Sequence, residues 1–506
     1  MILRPQALDL RIIAHFLGKI VLAFGLTMAL PIAVALVFGE EVPVIDFAVG
    51  LLAAVCTGLL LIGAANLPAG GAKSDMQWMH GMVVVAAGWL VCMFLGAVPL
   101  YLSGHWGSYL DACFEAMSGL ATTGLVLVQD LDHLSYAANF WRHLLMFLGG
   151  QGVVVVAISL LFRKSPGALQ LYVGEAREEK ILPNVLETAR FIWLVSFVYF
   201  ALGATLLSCC GRFAVGLPWR DAVFHGVCFF MAGFDTGGFA PQSQNVIFYQ
   251  SGVFELATVI VMVWGAVNFN LHYAIWTGRR AELRRDIEVR TFAATLTLVA
   301  ALVSFGLAQS HTYAGAWGFV RRGVYQAISA HTGTGFQSVY ASELLTSWGP
   351  LAVVGLLLAM ALGASACSTT GGVKLLRVGI LAKALREDVK RFLASESAVV
   401  TTRLRHMRDV FLDDRMVRSA ALIVLAYIIL YLAGAAAGCF FGYDFVSALF
   451  ESTSAAANVG LSTGLTNPLM PAGLKVVYMA QMWFGRLEFV SVFVLFGFML
   501  SFLRGK

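Results

Sequence analysis

The chain has 506 residues, of which 59% are apolar and only 12% charged. A soluble protein of this length would carry about twice that share of charge, and a disordered one could not be so apolar. With 34 Lys and Arg against 29 Asp and Glu, the net charge of +5 is too small to point to a nucleic-acid partner, which leaves an integral membrane protein.

Before the first apolar run come Arg4, Arg11 and Lys19. They read as a cytoplasmic lead-in to a retained helix, since a signal peptide has a shorter apolar core. Ten runs are long enough to cross a bilayer as helices, at 16–38, 47–66, 79–101, 138–162, 188–208, 251–276, 289–309, 349–382, 417–438 and 473–503. An even number puts both termini on one side. The connections on that side hold 27 Lys and Arg, and the opposite connections only Arg212, Arg220, Arg321 and Arg322. The positive-inside rule then makes both termini cytoplasmic. The eight cysteines show no metal-site spacing and imply no disulfide framework.

The four longer outside connections repeat one pattern, a short amphipathic segment followed by a glycine motif. Asp111 to Glu115 leads to Thr122, Thr123, Gly124 and Leu125. Asp221 to His225 leads to Met231, Ala232, Gly233 and Phe234. Arg322 to Gln326 leads to Gly333, Thr334, Gly335 and Phe336. Ser447 to Glu451 leads to Asn458, Val459, Gly460 and Leu461. From segment start to glycine is 13, 12, 13 and 13 residues. A repeat of this kind decides the architecture before any single residue does.

Apolar segments of about 10–14 residues are too short to span and read as re-entrant. Non-helical backbone at that depth must be buried in protein or line a water-filled cavity. Four such turns meeting on one axis would offer rings of carbonyl oxygens, which can replace the hydration shell of K⁺. The C-terminal ends of the short helices would favour a cation there.

At these residues the chain resembles the Trk/Ktr/HKT superfamily of potassium transporters, most closely its TrkH-type bacterial membrane subunit. The resemblance covers nearly the whole chain. It is carried by FEAMSGLATTGLVL at 114–127, WRHLLMFLGGQGVVVV at 141–156, STTGGVK at 368–374, ANVGLSTG at 457–464 and GRLEF at 485–489. It implies an all-α membrane protein of ten transmembrane helices. Two N-terminal helices (1–75) would precede four helix–pore loop–helix units (76–165, 166–280, 281–400 and 401–506) around a pseudo-fourfold pore. It further implies a K⁺ filter of main-chain carbonyls at Thr122, Thr123, Gly124, Met231, Ala232, Gly233, Gly333, Thr334, Gly335, Asn458, Val459 and Gly460. In the second unit a competing motif, Thr236-Gly237-Gly238-Phe239, follows the first, and Gly233 is preferred because its offset is nearer the others.

The stretch 361–374, ALGASACSTTGGVK, is a poor helix. Gly363, Gly371 and Gly372 each weaken one by about 1 kcal/mol relative to Ala, and Ser and Thr offer the backbone other bonds. By resemblance it is an intramembrane gate below the filter, comprising Gly371, Gly372 and Lys374, although a Lys there could equally anchor at the interface. Arg486, deep in the last apolar run, needs a partner or a water-filled cavity, and by resemblance projects into the pore as a barrier. Asp111, Glu115, Asp130 and Asp132 read as outside charges that concentrate cations, or as helix-end and loop charges. Arg142 and His143 read as interfacial anchors, and His225 as a pore-helix packing residue. The largest inside stretch, 380–418, reads as helical.

The expectation is therefore K⁺ uptake through a gated, channel-like pore in the bacterial cytoplasmic (inner) membrane. A Na⁺- or H⁺-coupled secondary transporter is the alternative. No HExxH, GxSxG or paired carboxylate lies in a span, so no enzyme is expected, and K⁺ is the transported ion rather than a bound cofactor. The resemblance also implies a homodimer and a cytosolic nucleotide-binding ring of the TrkA type, while this chain carries no GxGxxG fingerprint of its own.

Overall fold

The computed structural model describes residues 6–65, 76–128, 130–152, 155, 185–313, 315–395 and 400–504. Two of the expected inside connections lie largely outside the described residues, as do the unit boundary near 165 and the end of the run 138–162.

The N-terminal pair comes first. Ala7–Thr27 and Ala29–Phe38 run on through Met28 as one apolar span, and Glu41–Ala65 returns beside it. Small residues let the two backbones touch. A Cβ on Gly18 would lie 2.7 Å from the Gly58 carbonyl oxygen, and one on Gly25 would lie 2.6 Å from the Ala54 Cβ. In lipid, such close approach supplies the dispersion that holds helices together. Glu40, in the turn, accepts the backbone N–H groups of Tyr136 (2.7 Å) and Ala137 (3.0 Å), capping the helix Tyr136–Gln151.

Four units follow, each with a long first helix, a short helix, a turn and a second helix, which in the second, third and fourth units is broken. The first helices are Trp78–Leu102, Val185–Cys210, Ile287–Gln309 and Asp414–Phe440. The short helices are Tyr109–Leu120, Trp219–Phe234, Tyr325–His331 and Phe445–Ala456. The longest of these, with 16 residues, spans ~24 Å, less than a bilayer core. The ends of the short helices nearest the turns are buried inside the protein, while their first turns carry exposed residues such as Trp219 and Phe445; buried backbone is what polar groups at membrane depth require.

The second helices depart from the expected continuous spans. Among the described residues six helices are long and apolar enough to cross a membrane, or eight if each of two bent pairs counts as one span. The run 251–276 bends by 99° between Ala266 and Phe269, and the run 473–503 by 113° between Arg486 and Val490. The run 349–382 stops as a helix at Ala361 and resumes at Leu375. The helix Tyr136–Gln151 ends at Gly152, whose φ is +91°. The cause is a shared close contact. Side chains on Gly149, Gly265 and Gly485 would collide with the carbonyls of Leu120, Phe234 and Ala456, the last residues of three short helices. Each of these three second helices is pressed onto the end of its own short helix and loses its regular ladder within a few residues. Hydropathy counts apolar residues and is blind to that break.

The stretch 380–418 also differs from expectation. A helix covers Leu375–Leu393, but Arg403–His406 and Arg408–Phe411 pair as an antiparallel hairpin. Met407 turns it with φ +55°, and Leu404 points into a small apolar cluster with Ile287, Ile380 and Ala420.

Candidate ion pathway

The four turns share one backbone geometry. In each, the N–H of the residue before the glycine donates to the carbonyl five residues back: Thr123 to Ser118 (2.8 Å), Gly237 to Ala232 (2.7 Å), Thr334 to Ser329 (3.0 Å) and Val459 to Ser454 (2.9 Å). In each, two residues take positive φ. They are Thr122 (+51°) and Gly124 (+90°), Thr236 (+52°) and Gly238 (+77°), Gly333 (+71°) and Gly335 (+80°), and Asn458 (+55°) and Gly460 (+91°). Left-handed Thr and Asn cost energy and persist only where their surroundings hold them.

The turns also meet in a closed cycle. A side chain on Gly124 would strike the Gly237 carbonyl oxygen, one on Gly238 that of Thr334, one on Gly335 that of Val459, and one on Gly460 that of Thr123. Each glycine faces the carbonyl that precedes the glycine of the next unit, and the fourth returns to the first. Glycine is required for the left-handed backbone and, separately, because no room exists for a Cβ.

This geometry corrects the second unit. Met231, Ala232 and Gly233 lie within the helix Trp219–Phe234, and Gly233 faces Val261 and Phe336 rather than the cycle. The turn is formed by Thr236, Gly237 and Gly238. The signal was present in sequence: Met231-Ala232-Gly233 is the counterpart of Met117-Ser118-Gly119, both in the last turns of a short helix. In this register His225, not Asp221, stands opposite Asp111, so the acidic residue that suggests the start of the second repeat lies four residues early.

The true register explains another difference. Glu115, Gln326 and Glu451 each accept the backbone N–H twelve residues on, from Leu127 (3.0 Å), Ser338 (3.0 Å) and Thr463 (2.8 Å). The counterpart in the second unit is Phe229, and twelve residues on stands Pro241, which has no N–H to satisfy. His225, one turn earlier, instead bonds the Tyr249 hydroxyl through Nδ1 at 2.9 Å.

Several charges expected at surfaces are buried instead. Arg142 Nε donates to Glu115 at 2.8 Å with both side chains 0% exposed, and its guanidinium lies 4.2 Å from the centre of the Phe239 ring. It thereby joins the first turn to the second. Lys475 pairs with Asp111 at 2.6 Å, tying the fourth unit to the first, and Arg321 pairs with Glu255 at 2.9 Å, tying the third to the second. His143 is buried and bonds the Asn139 carbonyl through Nδ1. Of the acidic residues read as outside charges, only Asp130 and Asp132 lie in the exposed loop, the former beside His133 and the latter accepting the Ser243 N–H. Sequence alone could not separate these groups, because a buried pair and two interfacial charges look alike until their partners are known.

Beneath the turns sit the segment 362–374 and Arg486. Thr369 donates through its hydroxyl to the carbonyls of Phe234 (2.9 Å) and Gly265 (3.0 Å) and lies 3.2 Å from the Thr236 hydroxyl. Thr370 packs on Gly333, and Gly371 abuts Ala457 and Asn458. Gly372, at φ +69°, lies against Gly363 and the Ala457 side chain. Arg486 completes the set. Its guanidinium donates to Thr122 Oγ1 (3.2 Å), the Thr369 carbonyl (2.5 Å) and the Gly149 carbonyl (2.5 Å). Segment and arginine together reach all four turns. Lys374 neither snorkels to an interface nor reaches a turn: it is buried, and its ammonium bonds the carbonyl and hydroxyl of Thr370, bracing the segment from within.

One anchor had no sequence signal beyond a lone carboxylate at a helix start. Glu288 accepts the Ala366 N–H (2.5 Å) and the Asn268 side-chain amide (3.1 Å), holding the segment to the break in the second unit. Next to it Asp286 receives the His406 ring (3.1 Å) and the Met407 N–H (3.2 Å) of the hairpin.

Comparison with known proteins agrees with this architecture. The profile of a family described as TrkH, cation transport protein, matches residues 59–501. An uncharacterized cation transporter of Methanocaldococcus jannaschii is 29% identical over 96% of this chain and 95% of its own length. The Trk system potassium uptake protein TrkH of Halomonas elongata is 29% identical over 97% and 98%. The crystal structure of the potassium transporter TrkH from Vibrio parahaemolyticus superposes with a TM-score of 0.81 over 96% of this chain and 98% of that one, at 24% identity. That last likeness is one of fold.

Proposed function

The chain belongs to the TrkH family of cation transport proteins, and from that premise we propose that it takes up K⁺ through a channel-like pathway on the axis of the four turns. The observation that carries this reading is the closed cycle of glycine-to-carbonyl contacts among Gly124, Gly238, Gly335 and Gly460. Carbonyls of Thr122 and Thr123, Thr236 and Gly237, Gly333 and Thr334, and Asn458 and Val459 supply the oxygens that replace the ion's water. The family is one of transporters, and the ion is cargo. The segment 362–374 with Arg486 is the gate, held closed here by the contacts beneath every turn. A guanidinium at that depth adds an electrostatic barrier to a cation.

The setting follows from charge and relatives. The protein is a multi-pass membrane protein, and the 27-to-4 partition of basic residues supports cytoplasmic termini in a cytoplasmic membrane. A homodimer and a cytosolic regulatory ring of the TrkA type are part of the same reading.

The test is growth of a K⁺-uptake-deficient bacterium on limiting K⁺ with the chain expressed, beside Gly233→Ala and Gly238→Ala. Rescue by the native chain and by Gly233→Ala, but not by Gly238→Ala, is expected. No rescue by the native chain at confirmed expression, with and without its regulatory subunit, would reject the function. Equal loss in both variants would reject the assignment of the second turn.

A further inference from the structure

A cavity of about 270 Å³ lies between the segment 362–374, the start of the helix Leu375–Leu393, the start of the span Asp414–Phe440 and the break at Glu488. The transport reading does not use it. Three cations line it, Lys374, Arg377 and Arg415, against one carboxylate, Glu488. Arg377 is paired with Glu488 and Lys374 with Thr370. The guanidinium of Arg415 makes no ion pair among the described residues.

Helix polarity deepens the imbalance. Both helices begin at this cavity, and a helix N-terminus carries partial positive charge that favours anions. Yet Lys374 stands at the cap of the first helix, with Arg377 in its opening turn and no acidic residue there. In the second, Arg415 follows the N-cap Asp413 and Asp414, whose carboxylates already suit that helix's polarity. At the first helix, basic groups in these positions weaken the helix unless an anion sits beside them. The remaining lining is apolar, from Leu376 and Ile380 on one helix and Met416 and Ala420 on the other. Met416 and Ala420 belong to the first two turns of a membrane span, within ~10 Å of its start. A charged head and an apolar flank at that depth match a phosphate joined to an acyl chain.

We propose that this cavity binds a phosphate group, held by Lys374, Arg377 and Arg415. Its source is the headgroup of an anionic phospholipid or a free phosphate species. Binding draws Lys374 away from Thr370 and competes with Glu488 for Arg377. The anion thereby loosens the segment that underlies the turns, a consequence that rests on the gating reading above, whereas the binding itself does not.

The experiment measures binding rather than flux, so its failure leaves the K⁺ reading intact. Purified full-length protein in phosphatidylcholine nanodiscs is titrated with short-chain phosphatidylglycerol, with short-chain phosphatidylcholine as control, and separately with inorganic phosphate. Saturable phosphatidylglycerol binding is expected, about tenfold weaker in Arg415→Gln, the size of one charge-assisted hydrogen bond. Arg415 is exposed at the cavity edge, so this variant is expected to fold. Arg377→Gln, checked by its melting temperature, gives a second reading. Competition by inorganic phosphate at similar affinity assigns the site to free phosphate, and lack of competition assigns it to lipid. Phosphatidylglycerol binding no tighter than phosphatidylcholine with no phosphate binding, or binding unchanged in both variants, would overturn the proposal.

Discussion

Above, Thr122-Thr123-Gly124 and its three counterparts make one contact four times over, each to the next unit. Below, Thr369, Thr370, Gly371 and Arg486 come from two units only, and they meet the turns through a hydroxyl, a methyl face, a bare backbone and a guanidinium. Under the proposed reading, the upper layer would treat an ion on the axis alike from four sides, which is what discrimination by coordination requires. The lower layer is lopsided. A gate needs one element that can leave, and an element that broke four equivalent contacts at once would have no cheap first step. If the upper ring is the filter and the lower layer, or plug, is the gate, as proposed, they differ in what a mutation should do: loss at the ring stops transport, loss at the plug releases it.

The largest expected effect is on the ring's scaffold. Arg142→Met leaves Glu115 buried and unpaired, at a cost of about 3–5 kcal/mol, read as a collapse of detergent melting temperature and yield. The double variant Arg142→Met with Glu115→Gln should recover part of that loss; no recovery would mean the pair does not act as a unit. Next come the ring glycines. Gly460→Ala forces a Cβ against the Thr123 carbonyl in a left-handed residue, and strain of this kind is worth roughly ten- to a hundredfold in Rb⁺ uptake. Uptake within twofold of native would break the contrast at its upper end.

Plug variants should move flux the other way. Arg486→Ala removes bonds to Thr122, Thr369 and Gly149 together with the barrier charge, and unregulated Rb⁺ flux into proteoliposomes should rise about tenfold. An unchanged or lower flux at equal incorporation would mean that Arg486 is scaffold, not gate. Glu288→Gln is milder. One of its two acceptor oxygens becomes a donor, so either the Ala366 N–H or the Asn268 amide loses its partner, an effect of about 1–2 kcal/mol. Flux should rise a few-fold, and Asn268→Ala should act in the same direction; opposite signs would separate the anchor from the gate.

Much of the upper layer is legible in the chain. The short helices and three of the four turns follow from apolar runs too short to span and from glycines at equal offset. The second turn is not legible, because the chain offers glycines at Gly233, Gly237 and Gly238, and only the five-residue backbone bond, to Ala232, says which one turns. The lower layer is far less legible. Breaks at Val267 and at Leu487 arise where a glycine of one helix meets the carbonyl end of another, a contact between residues more than twenty positions apart. Glu288 looks like any acidic residue at a helix start. The hairpin at 403–411 has the charge of a helical stretch, and only its pairing and the burial of Leu404 show otherwise.

Crystals of the protein grown in Rb⁺ and measured at the Rb absorption edge put the question directly. Anomalous density on the axis, within coordination distance of the carbonyls of Thr123, Gly237, Thr334 and Val459, is what a four-turn filter predicts. Rb⁺ bound elsewhere in a transport-competent preparation, with none among those four oxygens, would contradict it.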